Sequence, residues 1–256
     1  MSHKYLKDGL MTIQGLTKLA IYHKGPSLDL GPMPTVFYFS LSGDESLELD
    51  PYNQPAVILN DGNIRIFSFS LPGHGIDIPN NKVMGLWADE FLKNEHFFSN
   101  FIEEAAANID YLIKQNYIDD RHLALAGLSR GAFIACHIAA KEKRVGTILG
   151  FAPLTDLSSL HEFENIKPEK LERLALRSLV HSLSHKRIRF YVGNHDTRVG
   201  TDKCFHFIKT LAENEYGKRI RPALAEMVIY PSIGHKGHGT PPEIFAEGAA
   251  WLKKHL

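Results

Sequence analysis

Short apolar runs alternate with longer segments of helical periodicity along most of the chain. The apolar runs are rich in β-branched and aromatic residues and occupy residues 35–41, 64–71, 122–126, 145–151, 188–192 and 226–230. Strands buried on both faces of a parallel sheet have this nearly continuous apolar character. A weaker alternation over residues 12–23 predicts an edge hairpin together with the residues near Asp29.

Helices are predicted between these strands. Within residues 85–116, apolar residues at helical spacing form one face, at Ile102, Ala105, Ile109 and Leu112. Further helices are predicted over residues 132–140, from Pro168 onward, and over residues 202–216 and 242–255. A cluster of aromatic side chains is interpreted as core, with pocket lining as the alternative: Trp87, Phe91, Phe97, Phe98 and Phe101. Alternating strands and helices predict an α/β fold whose mostly parallel sheet carries helices on both faces. Ligands then bind beyond the carboxyl ends of the strands.

A serine flanked by small residues joins one strand to the following helix. Gly127, Ser129 and Gly131 form a Gly-x-Ser-x-Gly motif between the run 122–126 and the helix 132–140. A turn this tight requires residues without bulk on either side of the serine. It exposes the hydroxyl at the end of the sheet, beside a helix N-terminus with free N–H groups and partial positive charge. The pattern therefore predicts a nucleophile elbow, the alternative being a structural turn.

Composition and charge exclude several classes of function. The 256 residues suffice for one large or two small α/β domains, and their formal net charge of zero gives no sign of nucleic-acid binding. No apolar run is long enough to span a bilayer, and residues 1–9 are polar, without a signal peptide. Cys136 and Cys204 lack metal-ligand or redox spacing, and Cys136 is expected in the core. A soluble cytoplasmic protein is expected, and its oligomeric state stays open.

Through the elbow and the motifs that follow, the chain resembles the α/β-hydrolase superfamily over nearly its whole length. The GHKGHG segment at residues 234–239 is similar to the prolyl-oligopeptidase-like and dienelactone-hydrolase-like branches. The resemblance implies a single α/β-hydrolase domain over residues 1–256. Residues 156–186 would be a small helical cap insertion or, alternatively, a longer connecting helix pair. The PGHG segment at residues 72–75 predicts a turn, with a catalytic role for His74 as the alternative.

The resemblance also implies a catalytic triad in the order serine, acid, histidine along the chain. Ser129, Asp196 and His235 occur in this order, each after a predicted strand. Asp156 is the alternative acid, and His238 is the alternative base if its loop is longer. A metal site at the His-x-x-His pair has little support, because no further ligands have suitable spacing. The chemistry requires neither cofactor nor metal.

An oxyanion hole needs two N–H donors. The backbone N–H of Arg130, directly after the nucleophile, is the expected first donor. The second is expected from residues 42–45, by position from Asp44, although Ser42 and Gly43 replace the His-Gly pair usual in the family. Acidic side chains in this loop are candidates to bind a cationic substrate group. The Arg130 side chain is expected in a salt bridge, with binding of a substrate carboxylate as the alternative.

The sequence therefore predicts a serine hydrolase that cleaves a small ester, thioester or amide through an acyl-enzyme on Ser129. An esterase or a small-peptide hydrolase is the expected subclass, by analogy with the resembled branches. The expected partner is a small-molecule or peptide substrate, with neither nucleic acid nor membrane involved. An inactive ligand-binding protein of the same fold, or an acyltransferase or lyase, is the alternative.

Overall fold

A single mixed β-sheet organises the chain. The computed structural model describes residues 4–5, 9–75 and 78–256, so most of the charged N-terminal segment lies outside the described residues. The strands are β1 (Lys4–Tyr5), β2 (Met11–Ile13), β3 (Ile21–Lys24), β4 (Met33–Phe39), β5 (Arg65–Phe69), β6 (Ile118–Leu128), β7 (Thr147–Phe151), β8 (Arg187–Gly193) and β9 (Ala225–Tyr230). Over the described residues the strand order is β1-β2-β3-β5-β4-β6-β7-β8-β9. The pairs from β5 to β9 are parallel, and β1, β2 and β3 are antiparallel to their neighbours.

Helices cover both faces of the sheet, as expected for an α/β-hydrolase fold. They are α1 (Gly43–Glu48), α2 (Gln54–Leu59), α3 (Val83–Lys93), α4 (Phe97–Lys114), α5 (Arg130–Lys141), α6 (Pro168–Leu174), α7 (Val180–Leu183), α8 (Thr201–Gly217) and α9 (Pro242–His255). None of the helices among the described residues combines the length and apolar composition needed to cross a bilayer.

The predicted central strands and long helices are confirmed, with ends that move by a few residues. Strand β6 differs most, because it begins at Ile118 and pairs with β4 on one side and β7 on the other. The edge hairpin is present as β2 and β3, but the residues near Asp29 form a short 3-10 helix at Leu28–Leu30 instead of joining it. The Ser27 hydroxyl caps that turn by accepting from Asp29 N at 3.4 Å.

Two helices follow β4 where the sequence analysis expected loops. Helix α1 begins with a capping box, in which Glu45 N donates to Ser42 Oγ at 3.3 Å and Ser42 N donates to Glu45 Oε2 at 3.3 Å. Serine with glutamate three residues later is a recognised helix-start signal, so the sequence contained the cue. Helix α2 carries Pro55 in its first turn, where a missing N–H has no cost.

Both faces of the central strands are buried, which explains their continuous apolar runs. Along β4, Phe37 and Phe39 pack into one core layer, while Val36 and Tyr38 pack into the other. The predicted aromatic cluster belongs to the core, with Trp87, Phe91 and Phe98 buried and Phe97 and Phe101 packed against them. Cys136 is also fully buried, as expected.

Helical turns fill the connection between β7 and β8. Short 3-10 helices at Leu157–Ser159, His161–Phe163 and Leu176–Leu179 accompany α6 and α7 there. Phe163 and Leu176 in this connection are fully buried. The connection begins at the carboxyl edge of the sheet, the edge that carries the candidate site.

Candidate active site

The turn between β6 and α5 holds Ser129 in a rarely populated backbone conformation. Its φ is 54° and its ψ is −115°, a combination that persists only where surrounding contacts hold it. Ser129 N donates to the Phe151 carbonyl at 2.8 Å, and the Ser129 carbonyl accepts from Leu154 N at 3.1 Å. The predicted sequence of strand, sharp turn and helix is therefore present, and β7 fixes the turn.

Glycine is required on both sides of this turn by backbone contacts. A Cβ atom on Gly127 would overlap the backbone of Gly131 and Ala132. A Cβ atom on Gly131 would overlap the carbonyl of Phe39 in the neighbouring strand β4. The missing side chains allow α5 to start directly against the sheet, beside the serine.

The imidazole of His238 joins Ser129 to Asp196. Its Nε2 lies 2.8 Å from Ser129 Oγ, and its Nδ1 lies 2.7 Å from Asp196 Oδ2. A carboxylate only accepts, so Nδ1 carries the proton donated to Asp196, and Nε2 accepts from the serine hydroxyl. This arrangement is the one required of a serine nucleophile, its base and an orienting acid.

The prediction that His235 occupies this position is wrong. His235 is exposed and begins a 3-10 turn at His235–Gly237, so the loop after β9 is one turn longer than expected. The backbone of Lys236 and Gly237 adopts positive φ, and the Lys236 carbonyl accepts from Thr197 N at 2.9 Å. These contacts seat the loop against the residues around Asp196, and His238 is the histidine that reaches them. The alternative of a longer loop is the one that the structure supports.

Asp196 is the predicted acid, and it lies where the sequence analysis expected it. Its side chain is buried just after β8, and Oδ1 accepts from Arg198 N at 2.9 Å and Val199 N at 3.1 Å. Oδ2 remains directed at His238. The backbone N–H groups of its own loop therefore fix the position of the carboxylate independently of His238.

The alternative acid, Asp156, belongs to a different cluster. It accepts from Arg177 Nη1 and Lys203 Nζ, each at 3.0 Å, and from Ser158 N at 2.9 Å. These cations, Arg177 from the connection after β7 and Lys203 from α8, satisfy its charge. Asp156 therefore does not contact His238 and stabilises the helical connection instead.

Asp44, the predicted second donor, is not among the described residues that line the cavity over Ser129. Ser42 caps α1, and Asp44 is exposed on the first turn of that helix. The connection after β4 instead contributes Ser40 and Leu41 to the cavity wall, and both of their N–H groups donate to Ser46 Oγ at 3.0 Å. Arg130 lies as predicted, at the first position of α5, where helix geometry leaves its N–H without an intrahelical partner.

A cavity of about 410 Å³ opens over Ser129. Its wall includes Tyr52, which follows α1 and was not among the site residues predicted from the sequence. The Tyr52 carbonyl accepts from Tyr38 Oη at 2.6 Å, which fixes the backbone of this loop over the sheet. The proline-rich segment around Tyr52 was the available signal, but nothing in the sequence placed it beside the serine. The lining comprises Ser40, Leu41, Pro51, Tyr52, Leu128, Ser129, Arg130, Arg198, His235, Lys236, His238, Gly239, Thr240 and Phe245.

His74 supports the side chain of Arg130. Arg130 Nη1 lies 3.2 Å from His74 Nε2 and donates to the Asn80 carbonyl at 3.3 Å. His74 Nδ1 donates in turn to Asn80 Oδ1 at 2.9 Å. Burial, and then the charge of Arg130, lowers the pKa of His74 to about 4, so the ring is neutral at pH 7 and Nε2 accepts from the guanidinium. The predicted turn at residues 72–75 is confirmed, and His74 contacts Arg130 instead of Ser129.

A second arginine in the cavity wall is fully paired. Arg198 forms a two-point ion pair with Glu162, at 2.7 Å and 3.0 Å. Glu162 comes from the helical connection between β7 and β8, so this contact ties the connection to the loop that holds Asp196. The salt bridge expected of Arg130 is not formed with any carboxylate in residues 9–75 or 78–256.

Solved structures with the same fold support this description. The Thermus thermophilus protein TT1662 has a TM-score of 0.70 at 18% identity, with 96% of this chain and 97% of that chain covered. A cold-adapted esterase from an Arctic intertidal metagenomic library has a TM-score of 0.68 at 16% identity over 100% of both chains. Porphyromonas gingivalis dipeptidyl peptidase 4 has a TM-score of 0.69 at 15% identity, and there 96% of this chain matches only 35% of the longer one.

Sequence similarity identifies the family. No curated protein matches the chain in sequence. The family model of the prolyl oligopeptidase family matches residues 87–256, a segment that includes Ser129, Asp196 and His238. The chain is therefore a serine hydrolase of the α/β-hydrolase superfamily and belongs to the prolyl oligopeptidase family.

Proposed function

We propose that the protein hydrolyses small esters, thioesters or amides through an acyl-enzyme on Ser129, with His238 as the base and Asp196 as the orienting acid. The observation that carries this proposal is the continuous hydrogen-bonded chain from Ser129 Oγ through His238 to Asp196. The proposal keeps the predicted nucleophile and acid and replaces His235 as the base.

The proposed reaction has two halves. Ser129 Oγ attacks the substrate carbonyl carbon while its proton passes to His238 Nε2, and Asp196 stabilises the imidazolium through Nδ1. The tetrahedral intermediate collapses, and His238 transfers the proton to the leaving alcohol, thiol or amine. Water then attacks the acyl carbon with His238 again accepting a proton, and the acid leaves as Ser129 Oγ regains its proton.

The oxyanion would be bound by the backbone N–H of Arg130 and the hydroxyl of Tyr52. The Arg130 N–H is next to the nucleophile and heads a helix. Ser40 N and Leu41 N already donate to Ser46 Oγ, so we take the second donor to be the phenol of Tyr52, which lines the same cavity as Ser129. We therefore assign Tyr52 in place of Asp44.

The cavity supports a small substrate. Its volume of about 410 Å³ falls within the range of small-molecule sites, and Pro51, Leu128 and Phe245 supply apolar wall. Leu160 and Glu162 reach the site from the connection after β7, so we assign residues 156–186 as a small cap insertion within one hydrolase domain. An esterase and a peptidase both occur among proteins of this fold, so short esters and small peptides are the proposed substrates.

A fluorophosphonate probe tests the proposal, because it reacts with a serine only where a base activates it. Wild type should be labelled, S129A should not, and H238Q should label at least about 10³-fold more slowly. H235Q is the matched control and should lose less than about tenfold, because His235 is outside the hydrogen-bonded chain. Failure to label wild type, or equal losses in H235Q and H238Q, would refute the assignment.

A further inference from the structure

The substrate-facing surface around Ser129 carries more positive charge than the proposed reaction requires. Resting on the proposed function, we propose that the substrate bears a carboxylate near its scissile bond, and that the guanidinium of Arg130 binds it.

The cavity wall is cationic. Arg130, Arg198 and Lys236 line it, and no aspartate or glutamate is found among its described lining residues. A cleft lined by charges of one sign concentrates ligands of the opposite sign. Glu162 lies near the cavity, but it already accepts two hydrogen bonds from Arg198. Glu162 therefore neutralises Arg198, whereas no carboxylate among the described residues pairs with Arg130 or Lys236.

Arg130 is held only by neutral groups. Its two hydrogen bonds go to the His74 ring and the Asn80 carbonyl, both from Nη1, and no carboxylate in residues 9–75 or 78–256 lies within ion-pair distance. Burial and the charge of Arg198 lower its pKa to about 10, as expected of a guanidinium that lacks an anionic partner. A partly buried cation that no described carboxylate pairs with is costly, and its retention indicates that a ligand supplies an anion.

The geometry prepares the guanidinium for an anion. The contacts with His74 and Asn80 fix Nη1, so the planar group is ordered before any ligand binds. Its other N–H groups form a fork that matches the two oxygens of a carboxylate. This pre-ordering reduces the entropy lost on binding.

A second, smaller cavity lies beside Arg130. It has a volume of about 70 Å³ and has Ser129, Arg130, Arg198 and His238 in its wall. That volume is several times the roughly 10–15 Å³ that one water molecule needs, so it accommodates a carboxylate with a few additional atoms. Its remaining wall is apolar and consists of Met84, Leu154, Leu160 and Val199. The carboxylate is therefore expected within a few bonds of the reacting carbonyl.

Matched ester pairs test the proposal on each side of the scissile bond. On the acyl side, 4-nitrophenyl hemisuccinate is compared with 4-nitrophenyl butyrate, and on the leaving-group side carboxymethyl butyrate is compared with propyl butyrate. Wild type should favour the carboxylate member of at least one pair by about tenfold or more in kcat/KM. R130M keeps the backbone N–H but removes the charge, and should reduce that ratio by about 10- to 100-fold. R130K should retain part of it, since it keeps the charge without the fork.

The ratio is the readout because any general damage to the site affects both members of a pair. R121M is the matched control, because Arg121 is an exposed surface residue paired with Asp119, and it should keep the wild-type ratio. Titration calorimetry with succinate gives a second readout that needs no turnover, with binding to R130M at least about tenfold weaker. Absence of fluorophosphonate labelling refutes the hydrolase proposal but does not bear on carboxylate binding by Arg130. In that case the affinities for succinate decide whether Arg130 binds a carboxylate. Equal ratios in wild type and R130M, or equal succinate affinities, overturn the carboxylate proposal.

Discussion

Asp196 determines which ring nitrogen of His238 carries the proton. Two backbone N–H groups occupy Oδ1, from Arg198 and Val199, so only Oδ2 is available to His238. In D196N an amide can present its NH₂ group to Nδ1, which favours the tautomer whose Nε2 carries a proton. That tautomer cannot accept from Ser129. We expect D196N to lower kcat by about 10³- to 10⁴-fold, measured on the best 4-nitrophenyl ester.

Asp156 provides the control for this change. D156N removes a carboxylate of the same type that follows the neighbouring strand, but its partners are Arg177 and Lys203 instead of the imidazole. Its kcat should stay within a few-fold of wild type, with any effect appearing as reduced thermal stability. A comparable loss of kcat in D156N and D196N would contradict the assignment of the acid.

Tyr52 is a second residue whose role can be measured separately. Y52F removes only the hydroxyl proposed to bind the oxyanion and keeps the ring against the cavity wall. Because an oxyanion donor acts in the transition state, kcat should fall by about 10²- to 10³-fold with KM little changed. Tyr38, whose hydroxyl supports the Tyr52 backbone from the core, gives the control variant Y38F. Y38F should lower stability more than kcat, and an unchanged kcat in Y52F would remove Tyr52 from the mechanism.

At the scale of elements, the loop after β9 sets the position of the base. A Cβ atom on Gly237 would overlap the His195 carbonyl, and Gly237 also adopts a φ of 70°. G237A should therefore displace His238 from Ser129 and lower kcat by about 10²-fold, the scale expected for a misplacement of about 1 Å. Steady-state kinetics and fluorophosphonate labelling both report this loss.

Gly62 provides a control for G237A, because alanine there introduces the same kind of backbone strain without the steric overlap. It has a φ of 88° and lies in the connection before β5, where a Cβ atom added to it would meet no other atom within 4 Å. G62A should cost about 1–2 kcal/mol of stability and leave kcat unchanged. Equal kinetics in G237A and wild type would show that the loop does not control the position of His238.

The same loop explains the limit of the sequence-based prediction. Both candidate histidines follow β9 within a glycine-rich segment, and the number of residues used by the turn depends on contacts with Thr197 and His195 from a distant loop. Local propensity does not contain such contacts. The elbow was predictable because its strand, glycines and helix are adjacent in the chain, and Asp196 because it directly follows β8. Tyr52 reaches the cavity only through long-range packing, which no local pattern reveals.

For the whole molecule, the parallel sheet brings distant segments to one edge. Ser129, Asp196 and His238 follow β6, β8 and β9, and all lie beyond the carboxyl ends of these strands. The apolar runs and helical faces predicted this architecture, because burial on both faces makes a strand a continuous apolar run and burial on one face gives a helix its period. The hairpin of β2 and β3 was also predicted, but the strand order and the antiparallel pairing of β3 with β5 depend on long-range contacts that no local pattern contains.

Two enclosed histidines couple the stability of the whole molecule to pH. Burial, and then the charge of Arg130, lowers the pKa of His74 to about 4. Burial likewise lowers the pKa of His137, which donates from Nε2 to the Leu174 carbonyl at 2.9 Å, to about 4. In the unfolded chain both histidines are protonated near their ordinary pKa of about 6.5. In the folded protein they are protonated only near a pH of about 4. The free energy of unfolding is therefore fully retained above about pH 6.5 and falls as the pH decreases toward 4.

The resulting slope is measurable by urea unfolding at pH 7, 6 and 5. Each histidine contributes up to about 1.4 kcal/mol per pH unit within this window. In H137Q one of these contributions disappears, so its free energy of unfolding should depend less steeply on pH than that of wild type. I66V is the control, because Ile66 is fully buried in the other core layer, and its truncation weakens the core without removing or exposing a titrating group. I66V should lower stability at every pH while keeping the wild-type slope, and an unchanged slope in H137Q would show that His137 is not excluded from protonation by the fold.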